Sequence, residues 1–269
     1  MKQSKADKIH YLEPELFTAA GVSSHGFTTR HEGVSRPPYN SLNLGTNTQD
    51  AHHNVEGNRH LLVHAFKGSP EQFVAVTQVH GIDLLVIDAP NPDYLHFQRL
   101  ACDGIITNQS EVMIAVSVAD CVPVLLLDPE KKVVAALHAG WKGTAGNICG
   151  KGVAAMVEFF GSDPARIIAA IGPAINSCCY EVDLPVVEAF RNQGGGYERF
   201  AHPSGEGTWR LDMSGANVAQ LRSAGLLAEN IEVAEQCVSC TPELFFSYRR
   251  DNGVTGRQMG FIMLKQETF

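Results

Sequence analysis

Two apolar runs, residues 122–127 and 133–137, separated only by Asp128-Pro-Glu-Lys131, constrain the fold of this chain more than any other feature. Short runs rich in Val, Leu and Ala, joined by an acidic turn containing Pro, predict a buried β-hairpin. The second run continues as Val133-Val-Ala-Ala-Leu-His-Ala-Gly-Trp-Lys-Gly-Thr144. Its apolar pattern stops at His138 and passes through a Gly-rich corner into a helix-like segment. Cys121 precedes the first run, within Val118-Ala-Asp-Cys-Val-Pro123. Antiparallel pairing then brings Cys121 and His138 side by side at the open end of the hairpin. A rigid sheet holds them there while solvent can reach them. A His and a Cys so placed imply either a metal site or a Cys/His hydrolase.

Further strand-like runs cover residues 26–29, 73–77, 84–87, 104–107, 112–117, 244–248 and 260–264. Helical patterns cover residues 54–66, 143–160, 184–191 and 214–224, the last with Ser214 as N-cap and Gly225 past its end. Loops at 35–44, 89–93 and 193–207 are polar or rich in Pro and Gly, yet none is biased enough to be a domain linker. The expectation is one α+β domain with mixed β-sheets over residues 1–269, with residues 1–20 as a peripheral segment.

The 269 residues suffice for a substantial core, and 44% hydrophobic with 19% charged residues is ordinary for a globular enzyme. A net charge of -8 argues against nucleic acid or an anionic membrane as partner. The opening residues lack a signal-peptide core. Asp120 and Asp128 interrupt the most apolar region, so no membrane span is expected. Seven cysteines without framework spacing point to a reduced, cytoplasmic protein.

His80, in Gln78-Val-His-Gly81, also follows a β-rich run. His80, Cys121 and His138 together would make the donor set that zinc takes in an open site. Their long separations are unlike those of structural zinc sites, and ordinary strand-end residues remain the alternative.

Several blocks carry a resemblance over nearly the whole chain. They are Gly26-Phe-Thr-Thr-Arg30, Ser41-Leu-Asn-Leu-Gly45, Gln78-Val-His-Gly81, Ala119-Asp-Cys-Val-Pro123, His138-Ala-Gly-Trp-Lys-Gly-Thr144, Ile171-Gly-Pro-Ala-Ile175, Cys179-Tyr-Glu-Val182, Phe246-Ser-Tyr-Arg-Arg-Asp251 and Thr255-Gly-Arg-Gln258. In order and context the chain resembles the laccase-domain family, whose members are also called polyphenol oxidases, purine nucleoside phosphorylases and peptidoglycan-editing factors. The resemblance implies an α/β/β/α layered fold and a zinc ion on His80, Cys121 and His138. It also implies phosphorolysis of adenosine, inosine, guanosine and methylthioadenosine, with an added adenosine deaminase activity. The older family name implies copper and phenol oxidation. Multicopper chemistry needs many histidines, conventionally in His-Xaa-His pairs, and this chain has none among its eleven histidines. Copper could still occupy a His₂Cys set, because it outcompetes zinc for such donors.

With purine nucleosides and phosphate as ligands, Arg30, Arg59, Lys142 and Arg250 are the cationic candidates for phosphate. Asn43 either contacts substrate or closes a turn, and Trp141 either stacks on a base or caps the core. Asp120 either moves a proton beside the catalytic candidates Cys121 and His138 or hydrogen-bonds behind them. Cys237-Val-Ser-Cys240 reads as a thiol pair without a partner pair, and adjacent Cys178 and Cys179 are expected not to share one site. The rival functions are a Cys/His amidase editing peptidoglycan precursors, with Cys121 as nucleophile, and a sensor that binds without turnover. A monomer or small homo-oligomer is expected.

Overall fold

Two strands near the middle of the chain show how the core is organised in the computed structural model, which describes residues 1–90, 93–194 and 196–266. In Met113–Val118, Met113 and Ala115 face one apolar cluster while Ile114 and Val116 face another. In Gln258–Leu264, Met259, Phe261 and Met263 alternate in the same way with Ile262 and Leu264. A strand covered on both faces reads as a continuous apolar run, which is why the hydropathy of these segments does not alternate.

The first sheet runs β1 (Lys2–Ala6), β2 (Ile9–Glu13), β3 (Ser23–Thr28), β15 (Gln258–Leu264), β7 (Met113–Val118), β4 (Phe73–Val74). The second runs β14 (Ile231–Val233), β10 (Ile168–Ile171), β8 (Val122–Asp128), β9 (Val133–Ala139), β6 (Gly104–Thr107), β5 (Leu84–Ile87). A small sheet joins β11 (Glu181–Asp183), β13 (Thr208–Leu211) and β12 (Ala201–Gly205).

The two large sheets pack face to face through β7 and β15 against β8 and β9. Helix α2 (His52–Ala65) covers the outer face of the first sheet, with Leu62 and Val63 set among Phe73, Met113 and Phe261. Helices α3 (Trp141–Ala145), α4 (Ile148–Phe160), α5 (Leu184–Asn192) and α6 (Met213–Ser223) gather on the outer side of the second sheet, where α4 lies on β9 and contacts α6. The result is the expected α/β/β/α layering in an α+β fold. Residues 2–20 form the edge hairpin β1–β2 and the short helix α1 (Glu15–Ala20), whose Phe17 is buried.

Several sequence expectations are corrected. Residues 143–160 are not one helix: Asn147, in the left-handed region at φ 62°, ends the first turn and caps α4 by accepting from the Gly150 N–H. Asp212, not Ser214, caps α6, accepting from the Gly215 N–H at 2.9 Å. Residues 244–248 are turn and irregular backbone rather than a strand, because the Gln258 side chain takes both the N–H and the carbonyl of Phe246, and Arg250 takes the Phe245 carbonyl. Only Phe73–Val74 of the 73–77 run pairs as a strand. The 193–207 loop contains β12, and its Gly195 lies outside the described residues, as do Asn91 and Pro92 of the 89–93 loop.

A candidate metal centre between the two sheets

The hairpin β8–β9 forms as its apolar runs predict, pairing Val122 with Ala139 and Pro123 with His138. Cys121, two residues before Pro123, therefore shares a face with His138 and sits diagonally from it. Between β7 in one sheet and β8 in the other, the chain turns through Ala119-Asp120-Cys121, with Asp120 at φ 93°. That turn sets Cys121 at the mouth of the cleft between the sheets. The third member, His80, lies on the crossing from β4 to β5, also at positive φ (60°). The Gln78 side chain fixes this crossing by making both a donated and an accepted hydrogen bond to the Ser117 backbone, each 2.8 Å.

The donor atoms of His80, Cys121 and His138 all lie within 4.8 Å of one another. Gly140 floors the group. A Cβ there would stand 3.0 Å from His80 Cδ2 and 3.2 Å from Cys121 Sγ, so only glycine leaves the space clear. Two imidazole nitrogens and a thiolate suit zinc or copper. The residues thus fit the ion that the resemblance implies.

Asp103, which the sequence reading did not single out, holds this group together. It is fully buried, and its carboxylate accepts from His138 Nδ1 at 2.8 Å and from the backbone N–H groups of His80 (2.9 Å) and Gly81 (2.6 Å). With Nδ1–H directed at Asp103, the other ring nitrogen of His138 keeps its lone pair for an ion shared with Cys121 and His80. An Asp before a Gly-initiated strand looks like a turn residue, and nothing in its spacing marks this role. Burial works against both charged forms at the site. Even so, the adjacent imidazoles bring the Cys121 thiol down to about 6, while Cys121 and Asp103 raise His138 to about 9.

All three donors line a pocket of about 570 Å³ that also takes in Asn47, Gln78, Asp120, Tyr180, Tyr248, Arg249 and Arg257. Asp120 borders it, but its oxygens are engaged by Ser247 Oγ and the Arg249 N–H, both at 2.6 Å. Arg249 lies over the Tyr180 ring at 5.0 Å, and Arg257 over Tyr248 at 5.5 Å. These arginines belong to the quoted C-terminal blocks, yet nothing in the sequence distinguishes them from Arg250.

The structure does not bring the other candidates to this pocket. Arg30 donates to the carbonyls of Asn40 and Pro242 and covers Phe246. Arg59 donates to the Leu44 carbonyl beside Phe73, and burial lowers its guanidinium to about 10. Arg250 forms a two-pronged pair with Asp251 (2.8 Å each) and donates to the carbonyls of Val238 and Phe245. Asn43 is fully buried and closes its own turn, accepting from Gly45 and Arg257 N–H groups. Trp141 packs against the core with Lys142 over its ring, and neither lines the pocket.

Among the described residues, no helix is long and apolar enough to cross a membrane. Residues 24–265 match the family described as multi-copper polyphenol oxidoreductase laccase. A Bacillus subtilis protein named purine nucleoside phosphorylase YlmD is 38% identical over 90% of this chain and 88% of its own length. One named purine nucleoside phosphorylase from Deinococcus radiodurans is 41% identical over 89% and 88%. The crystal structure of YlmD from Geobacillus stearothermophilus superposes with a TM-score of 0.90 at 34% identity, covering 98% of both chains. On the family match and these relatives, the chain belongs to the laccase-domain family.

Proposed function

We propose that this protein is a zinc-dependent purine nucleoside phosphorylase acting on adenosine, inosine, guanosine and methylthioadenosine, with adenosine deamination as a second activity. The observation that carries the reading is the convergence of His80, Cys121 and His138 on a pocket walled by two tyrosines and two arginines. The names of the relatives support it.

In phosphorolysis a phosphate oxygen bonds to the ribose carbon as the bond to the purine nitrogen breaks, and the base leaves with the electron pair. Charge develops on the sugar and the base together, so positioning and electrostatics dominate. Arg249 and Arg257 supply the cationic surface for phosphate. Each keeps guanidinium N–H groups beyond those given to the carbonyls of Glu181, Thr255 and Gly256. Tyr180 and Tyr248 offer ring faces for the purine. Zinc on His80, Cys121 and His138 would supply Lewis-acid polarisation. Asp103 orients His138, and Asp120 anchors the turn that presents Arg249.

The copper-oxidase reading finds less support. Among the described residues two groups could hold a metal, and the one with histidine has only two of them. A second reading is favoured by one observation: Asp103, His138 and Cys121 stand in line as in a cysteine hydrolase. A nucleophilic pair does not need His80 on the same thiol, and that third donor favours the metal.

Incubation of metal-defined protein with inosine, with and without phosphate, separates the readings. Hypoxanthine and ribose 1-phosphate are expected only when phosphate is present. Base release indifferent to phosphate, or none in protein holding one zinc at this site, overturns the phosphorylase reading.

A further inference from the structure

A second cluster of soft donors lies outside the pocket. Cys178 and Cys179 sit on the turn after β10, and Cys237 and Cys240 on the turn after β14. Strands β10 and β14 are parallel neighbours, so both turns leave the same end of the sheet. A further bridge between Ala174 and Cys237 keeps them together. The four sulfurs lie within 4.8 Å of one another. The separations are 3.8 Å for Cys178 to Cys179, 3.7 Å for Cys178 to Cys240 and 3.3 Å for Cys179 to Cys240. Two sequence expectations fall here. The adjacent cysteines do share a site, because a turn, unlike a strand, can aim neighbouring side chains at one point, and the Cys-Xaa-Xaa-Cys pair has its partner pair.

We propose that Cys178, Cys179, Cys237 and Cys240 form a second, closed metal site that binds a zinc-class ion through four thiolates. A tetrahedral ion with bonds of about 2.3 Å to sulfur sets its ligands about 3.8 Å apart, close to the spacing already present. Binding releases the remaining thiol protons to solvent and changes no oxidation state. The sulfur of Cys237 is prepared for it. The Asn176 N–H is directed at that sulfur at 3.4 Å, and so helps to orient it as a ligand. Four protein ligands leave no open position, so the site is structural rather than catalytic.

Its place gives it a role. Tyr180 follows Cys179 directly, and Arg250, next to Arg249, donates to the Val238 carbonyl at 2.8 Å. Arg249 in turn donates to the Glu181 carbonyl at 2.8 Å. An ion on the four sulfurs staples together the two segments that carry Tyr180, Tyr248 and Arg249, and so fixes the wall of the pocket. The staple stands whether or not the pocket performs phosphorolysis.

The test titrates zinc into reduced full-length protein and compares the wild type with the Cys178→Ser/Cys240→Ser double variant. The wild type is expected to bind one more ion per chain. Equal binding overturns the site, as does a wild-type protein whose four cysteines are joined in disulfides as purified. Because the double variant can lose its fold, the Cys121→Ser variant is also loaded with cobalt(II). It lacks the pocket's only thiolate donor, so intense sulfur-to-cobalt charge-transfer absorption with tetrahedral visible bands is expected from the quartet alone. Absence of those bands overturns the proposal.

Discussion

Replacing Asp103 with Asn changes almost no volume and removes one charge, yet it should weaken zinc binding in the pocket by about 10- to 100-fold, the range seen when a carboxylate behind a metal-ligating histidine is lost. The carboxylate has only donors around it: His138 Nδ1 and the N–H groups of Val79, His80 and Gly81. An amide has one accepting end. Facing its oxygen to His138 and His80 points its NH₂ at the N–H groups of Val79 and Gly81, donor against donor. Flipping it drives the His138 proton to the nitrogen that should hold the ion. Either arrangement loses a charge-assisted hydrogen bond worth about 1.5–3 kcal/mol, which corresponds to about 10- to 150-fold in affinity. The two estimates agree. The assay strips the enzyme with a chelator and measures the free zinc that restores half of the phosphorolytic activity, with circular dichroism confirming the fold. A half-restoring concentration within about twofold of wild type would refute the reasoning that Asp103 orients the ligand.

Three further outcomes follow from the same geometry. Gly140→Ala places a methyl 3.0 Å from His80 Cδ2 and 3.2 Å from Cys121 Sγ; overpacking of about 1–3 kcal/mol should appear as a raised zinc requirement, and an unchanged requirement contradicts the cradle. Arg257→Ala should raise KM for phosphate about tenfold or more while KM for inosine moves far less, and Arg30→Ala, whose parent side chain holds Asn40 and Pro242 carbonyls, should leave phosphate KM in place. His25 is buried beside Ser23, and burial lowers it from 6.5 to about 4. The unfolded chain therefore takes up a proton that the fold refuses, so stability present above pH 6.5 is lost as pH falls toward 4, by about 3 kcal/mol. Melting temperatures across that window should fall more steeply for wild type than for His25→Asn; parallel curves would exclude His25 as the cause.

How much of this was legible beforehand depended on whether local pattern or tertiary contact decided each feature. The β8–β9 hairpin was readable because its turn and both apolar runs are contiguous, and with it the neighbourhood of Cys121 and His138. His80 joins them from a different crossing, fixed by Gln78 on Ser117; its place after a β-rich run marked it only as a candidate, and the resemblance was what tied it to the other two. Asp103 was missed because its four donors come from a loop and a strand remote in sequence. Arg249 and Arg250 are neighbours in one turn. Which of them faces the pocket is decided by Asp251 and the Val238 and Phe245 carbonyls capturing Arg250, a choice no periodicity records. The cysteine quartet was dismissed for a similar reason, since the parallel pairing of β10 with β14 that unites its halves is not written in either segment.

On the reading proposed above, His80, Cys121 and His138 hold a metal that the reaction needs, rather than Cys121 attacking the substrate. Its most direct test is a chelation and alkylation comparison on inosine phosphorolysis. Stripping the metal is expected to abolish base release, zinc to restore it, and bound zinc to shield Cys121 from a thiol alkylating agent. Activity that survives complete metal removal and is ended by alkylation of Cys121 would contradict it.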